Sequence, residues 1–372
     1  MSETDMYTKL HDELCCANVG LHLVMAGAGM DFLHGLWAMP GSSNYLWDAR
    51  LVQSTHAMDR YLGFEVEGSR CSQAVAMELA MRAYLNAEES RLVTGGASEA
   101  MGLGLTASVA TNRMHRGNQR FHVACIGGRG VRMLEVVLEK REGEEARVGH
   151  DAEIGTAMVR LLLDYLETGG EAGVNNVLMQ QILDRPRFAA EGGRVRFDET
   201  PGLYFPANLN PVHDGHWMAS ERAEASFGRR TVFMVEACPP NKDELSPVHL
   251  LQRVAQVQSG SCGQTRRDVL VTHGWCNYID KVRHCPGSHF IVGADALMRL
   301  LEPCWGYDVE EMLQDFERLD CRFHVAGRVV GERFITLKDV EIDERYRSLF
   351  IPLEGRRDIS SSELRHAGKE KA

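Results

Sequence analysis

Residues 205–216, FPANLNPVHDGH, hold two imidazoles three positions apart, His213 and His216, on either side of Asp214-Gly215. An apolar run, GLYF (202–205), precedes them, and Asn210-Pro211 is a turn signal between the two. The order predicts a strand, a turn and a helix start, with both histidines on one side of the first helical turn. Imidazole donors beside the open N–H groups of a helix start can hold a polyphosphate and follow its charge as a leaving group departs. Gly215 lets a ligand come close to the backbone. A second cluster lies at ISSSELR (359–365). Hydroxyls of Ser360, Ser361 and Ser362 and the amides of a helix expected over 359–370 would form an anion nest, and Arg365, a turn on, would add a phosphate fork.

Together these runs resemble the F-N-P-x-H-x-G-H and I-S-S-T-x-x-R signatures of the HxGH nucleotidyltransferases, which join a nucleoside triphosphate to a phosphorylated partner and release pyrophosphate. Three further runs resemble parts of the same family: PPNK (239–242) followed by SPVHLLQR (246–253), FIVGADAL (290–297) and FHVAGR (323–328). The similarity spans about 200–372 and looks like the nicotinamide-nucleotide adenylyltransferases and their cytidylyltransferase-like relatives. It implies catalytic roles for His213, His216, Lys242 and Arg365, with Arg253 helping to position phosphate. It also implies nucleotide contacts from Asn210, Gly215, Gly293, Asp295, Arg328, Ser360, Ser361 and Ser362. ATP as substrate and Mg²⁺ on its phosphates with few protein ligands are implied as well, and no acidic cluster in the sequence offers a dedicated metal cage. The chain departs from the pattern at Pro206-Ala207-Asn208, where a Gly-rich turn is usual, at Leu209 for Phe, and at Ser362 for Thr.

The first half carries MPGSSNYLWDARLVQS (39–54). This resembles the P-G-S-S-x-x-F segment of the CinA C-terminal family, whose active members remove the amide of nicotinamide mononucleotide; the resemblance covers roughly 10–168. The family's nucleophilic Ser aligns with Ala26, its Lys with Met58, and its T-G-x-A-G-P loop with TASVATN (106–112). Acyl transfer needs an activated nucleophile and a proton acceptor, so a catalytically degenerate domain is expected. Ser42, Ser43 or Cys71 would be the substitute nucleophiles.

The elements that position these residues follow from hydrophobic period. Strands are expected at 18–28, 121–126, 202–205, 230–237, 267–273, 289–294 and 322–329, and helices at 69–86, 153–168, 216–227, 246–258 and 309–319. Residues 132–139 fit a strand or a short helix. Such alternation predicts an α/β protein with a parallel sheet covered on both faces. The expected organisation is a CinA-like layered domain at 1–170, a connector at 171–200 and a Rossmann-like nucleotidyltransferase domain at 201–372.

A net charge of −11 argues against general binding to nucleic acid or anionic membranes. No apolar run reaches the roughly 18 residues needed to span a bilayer, and the acidic start of the chain lacks a targeting pattern; a cytoplasmic homo-oligomer is expected. Ten cysteines without a CxxC pair read as buried thiols. The expected activity is adenylyl transfer to nicotinamide or nicotinate mononucleotide. Transfer of a cytidylyl or adenylyl group to another phosphorylated acceptor, and a non-enzymatic nucleotide sensor or assembly protein, are the alternatives.

Overall fold

Val19–Ala26 is apolar almost throughout because, as strand β1, it is buried along its whole length; a strand covered on both faces reads as a continuous apolar run. The structure is a computed structural model describing residues 3–113, 116–185, 187–188, 201–239, 243–260, 265–303, 307–331 and 333–355. Helix α1 (Glu3–Cys16) precedes β1. After it come α2 (Met30–Trp37), β2 (Leu46–Leu51), α3 (Thr55–Leu62), α4 (Gln73–Thr94) and β3 (Glu99–Ser108). Strands β4 (Arg120–Gly127) and β5 (Gly130–Val137) and helices α5 (Glu144–Thr168) and α6 (Ala172–Asp184) complete this part. The sheet runs β2-β1-β3-β4-β5, parallel among the first three and antiparallel beyond. Residues of α1, α2 and α5 pack on one face, those of α3 and α4 on the other.

Strand β3, the middle strand, is not among the strands expected from hydrophobic period. Its glycines weaken a strand signal, yet packing requires them. A Cβ on Gly102 would stand 2.2 Å from Tyr84 N, and one on Gly104 would stand 2.3 Å from Ala76 O. Helix α4 therefore lies directly on the β3 backbone. Residues 106–108, read as part of a replaced loop, finish this strand. Helix α4 starts at its cap, Ser72, whose hydroxyl accepts from Val75 N (3.3 Å), and runs on to Thr94 rather than ending at Asn86. Residues 132–139, left between strand and helix, supply most of β5.

The chain then runs through β6 (Arg187–Phe188), β7 (Leu203–Pro206), α7 (Asp214–Phe227), β8 (Thr231–Glu236), α8 (Pro247–Gln258) and β9 (Asp268–Thr272). It continues through α9 (Tyr278–His284), β10 (His289–Gly293), α10 (Ala294–Leu300), α11 (Val309–Arg318) and β11 (Arg322–Ala326). A hairpin of β12 (Arg328–Val330) and β13 (Arg333–Ile335) and the last strand, β14 (Phe350–Leu353), follow. The main sheet has the order β14-β11-β10-β7-β8-β9-β6 and is parallel except for β6, which runs antiparallel to β9. The single strand expected over 322–329 instead breaks at Gly327. The ring of Phe334 folds back to within 2.4 Å of where a Cβ on Gly327 would be, so β12 leaves the sheet as a hairpin. Among the described residues, those within 3–182 and 246–255 group into one compact unit and those within 183–245 and 256–355 into another. No helix among the described residues is long and apolar enough to cross a membrane.

On one face of the second sheet Phe290, Phe323, Phe316 and Phe350 form an aromatic core. On the other, Trp217 of α7 is 2% exposed and meets Phe233 edge-on, centroids 5.4 Å apart. Truncating such a residue costs about 3–5 kcal/mol. Trp217 is thus a core anchor that fixes α7 on the sheet.

Candidate nucleotide site and the filled turn of the first unit

From β7 the chain moves out through β8 to β9, then returns past β7 to β10, β11 and β14. Loops leaving β7 and β10 therefore run to opposite sides and open a crevice at the carboxyl ends of these neighbours, the place where open parallel sheets bind ligands. The turn after β7 is held from several directions. Ala207 N donates to Met234 O (3.1 Å). Leu209 has a left-handed backbone (φ 49°) and a fully buried side chain, and the Asn210-Pro211 peptide is cis. Val212 N donates to Gln256 Oε1 (3.0 Å).

This turn delivers His213 to the N-cap of α7 and His216 to the third position of the helix. As the N-cap, His213 keeps an extended backbone (φ −147°, ψ 168°) and flanks the first helical turn on which His216 sits. The pair forms a reciprocal capping box. His213 Nδ1 accepts from Gly215 N (3.1 Å), and His216 Nδ1 accepts from His213 N (3.2 Å). Their rings lie 3.8 Å apart between centroids, and both residues are buried. With each Nδ1 accepting, a neutral ring carries its proton on Nε2. Burial holds the His216 pKa well below the ordinary histidine value, and the charges of His213 and Arg328 push it the same way. An arriving polyanion opposes that shift and favours the imidazolium.

Arg328 reaches this neighbourhood from just beyond the end of β11. Its path depends on Gly293, at the end of β10, where a Cβ would stand 2.6 Å from Asp295 Oδ1 and 3.2 Å from Arg328 Cγ. Asp295, in the first turn of α10, pairs with Arg299 (3.2 Å) and more loosely with Arg328 (3.9 Å). The fold thus gathers Gly293, Asp295 and Arg328, and Arg328 acts electrostatically on His216. Gly215 lies between the histidines, Asn210 is exposed on the turn, and Arg253 is on α8. Lys242, Ser360, Ser361, Ser362 and Arg365 lie outside the described residues, as does the helix expected over 359–370. Gln256 and Phe205, whose ring is 5.7 Å from that of His216, support the site. Sequence reading missed both, because a Gln near a helix end and a Phe in a strand carry no distinguishing signal.

In the first unit, Ala26 ends β1 where the resemblance puts a nucleophile. The amides at the start of α2 are already occupied: Asp151 of α5 accepts from Gly29 N, from Met30 N (3.2 Å) and from Asp31 N (2.8 Å). Arg147 clamps the same turn through Gly27 O (3.0 Å) and Ala110 O (3.3 Å). Met58 is buried in the α3 core. Cys71 donates to Arg120 O (3.6 Å), and burial raises its thiol pKa, which disfavours a thiolate. Ser42 donates to Trp37 O (3.3 Å), and Ser43 shares its 3₁₀ turn, Ser42–Asn44.

Residues 204–367 match the family model described as Cytidylyltransferase-like. No curated protein matches the chain. Among solved structures, a competence-damaged protein (CinA) superfamily protein from Klebsiella pneumoniae aligns at 14% identity, over 45% of this chain and 99% of its own, with a TM-score of 0.35. One from Enterobacter cloacae aligns at 15% identity, over 43% and 91%, with a TM-score of 0.33. The competence/damage inducible protein CihA from Agrobacterium tumefaciens aligns at 17% identity, over 44% and 94%, with a TM-score of 0.32. Taken with the strand order and the paired histidines, the family match identifies a cytidylyltransferase-like domain of the nucleotidyltransferase class over residues 204–367.

Proposed function

We propose that the second unit transfers an adenylyl group from ATP to nicotinamide or nicotinate mononucleotide and releases pyrophosphate. The observation that carries this reading is the closely packed His213–His216 capping box at the sheet's switch point, within the field of Arg328. The acceptor's phosphate oxygen attacks the α-phosphorus in line, and the bond to the β-phosphate oxygen breaks. No covalent enzyme intermediate forms, so catalysis consists of positioning and charge stabilisation. His213 and His216 donate from Nε2 to the departing pyrophosphate, with Arg328, Lys242, Arg365 and the serines at 360–362 completing the phosphate shell. Asn210 and Gly215 border the phosphates; Gly293 and Asp295 face the nucleoside.

Among the described residues no group of three or more His, Cys, Asp or Glu side chains could hold a metal ion. Asp295 is engaged by Arg299 and, more loosely, by Arg328. Mg²⁺ in this reading arrives on the nucleotide, held mainly by phosphate oxygens. The mononucleotide acceptor is supported by the resemblance of residues 39–54 to a family that handles the same compound, which is an argument from association. A second reading, with CTP as donor and a different phosphorylated acceptor, has the family description on its side.

The test is pyrophosphate release with Mg²⁺ and either ATP or CTP, against both mononucleotides, with His216→Ala as control. Turnover with ATP that the substitution abolishes supports the proposal. Turnover confined to CTP would replace ATP as the donor, and nucleotide binding without release from any pair points to a sensor or to another phosphorylated acceptor.

A further inference from the structure

We propose that the first unit joins a second copy of this chain through the free edge of β2, antiparallel and about a two-fold axis at Ala49. Strand β2 ends its sheet, and among the described residues no strand pairs with its outer side. Leu46–Leu51 contains neither Pro nor Lys, and its one irregularity lies at Trp47, which leaves Asp48–Leu51 as a regular edge. Its second half is exposed, with Leu51 47% accessible.

The sequence of the edge specifies its occupant. Trp47-Asp48-Ala49-Arg50-Leu51 reads apolar, acidic, small, basic, apolar. Laid antiparallel on itself, the regular part of the strand sets Asp48 opposite the second copy's Arg50 and Ala49 opposite its own counterpart. Opposite charges directly across a strand pair stabilise it, and like charges destabilise it. A shift of one residue either way removes both charge pairs. A shift of two sets Asp48 against Asp48 or Arg50 against Arg50. One register therefore satisfies the strand.

An apolar surface adjoins this edge. A groove of about 450 Å³ between α2 and β2 is lined by Met30, Leu33, Trp37, Leu46 and Trp47, among others. Trp37 is 71% and Met30 48% accessible. In the matching register the second copy's exposed Leu51 falls one residue beyond Asp48, where the strand turns towards this groove. Within one copy Arg50 already pairs with Asp48 (2.7 Å), so association extends an ion pair into a four-charge ladder. Two-fold dimers are the commonest closed assembly because one self-complementary patch suffices.

The experiment uses the full chain and sedimentation velocity over roughly 1–100 μM. The wild type is expected to be dimeric. Asp48→Arg and Arg50→Asp each place like charges across the axis and should weaken the dimer by roughly tenfold or more. Mixing the two variants is decisive. The mixed pair restores both cross-strand attractions while each chain keeps its internal repulsion, so a 1:1 heterodimer should form. Leu51→Lys, on an exposed position, gives an independent loss of dimer if either charge variant fails to fold. A monomeric wild type, a dimer indifferent to these substitutions, or a mixture of folded charge variants that stays monomeric would overturn the proposal.

Discussion

The imidazoles of His213 and His216 lie 3.8 Å apart, and each ring accepts a backbone N–H of the turn it sits in. One pair of side chains thus closes the helix end and presents two Nε2 donors. Structure and chemistry can be separated here. Asn is a strong N-cap, so His213→Asn should leave folding stability within about 0.5 kcal/mol of wild type while lowering kcat by roughly 10²–10³. His216→Ala should lose similar activity and about 1 kcal/mol of stability. Denaturant melts and pyrophosphate kinetics read both. Equal losses of stability in the two variants would reduce the pair to a structural cap.

Gly293 keeps Arg328 against the carboxyl end of β10. Gly293→Ala inserts a Cβ into that contact and should displace Arg328 and Asp295 while the core stays intact. A fall of about 10–100-fold in kcat/KM is expected, as for a misplacement near 1 Å, with little change in melting temperature. An unchanged kcat/KM would remove Arg328 from the site.

Asp151 occupies the helix amides where an acyl-transfer site would open. Introducing Ser at Ala26 and Lys at Met58 together should therefore produce no amide hydrolysis of nicotinamide mononucleotide above background. Asp151→Ala should cost about 1–3 kcal/mol by leaving three N–H groups without their cap. Ammonia release by the double variant would show that this unit lacks only its nucleophile and base.

His289 Nδ1 and His324 Nε2 lie 2.9 Å apart under Phe227, and His324 is fully buried. Burial and the neighbouring His289 lower the His324 pKa to about 4, and burial also lowers that of His289. The unfolded chain, with histidines near 6.5, binds more protons between those values. Stability of the second unit is therefore complete above about pH 6.5 and declines as the pH falls towards 4. His324→Leu should flatten this slope in melts recorded from pH 7 to pH 4. A slope unchanged by the substitution would assign the acid sensitivity to other groups.

The sequence by itself determined the α/β alternation, because a buried strand and an amphipathic helix leave different hydrophobic periods. It also marked the turn carrying His213 and His216, because turn signals and imidazole spacing are local. Short elements escaped it: α9 and α10 have 7 residues each, too few to display a helical period. Strand β3 escaped it because Gly102 and Gly104, which answer to the backbone of α4, erase the alternation a strand would otherwise show. Tertiary structure alone decided that β10 returns beside β7, which brings Arg328 within electrostatic reach of His216 across more than a hundred residues of chain. It alone decided, too, that Asp151 fills the turn after Ala26. Both depend on long-range closure, in which a residue's partner is chosen by how sheets and helices pack and not by its neighbours in sequence.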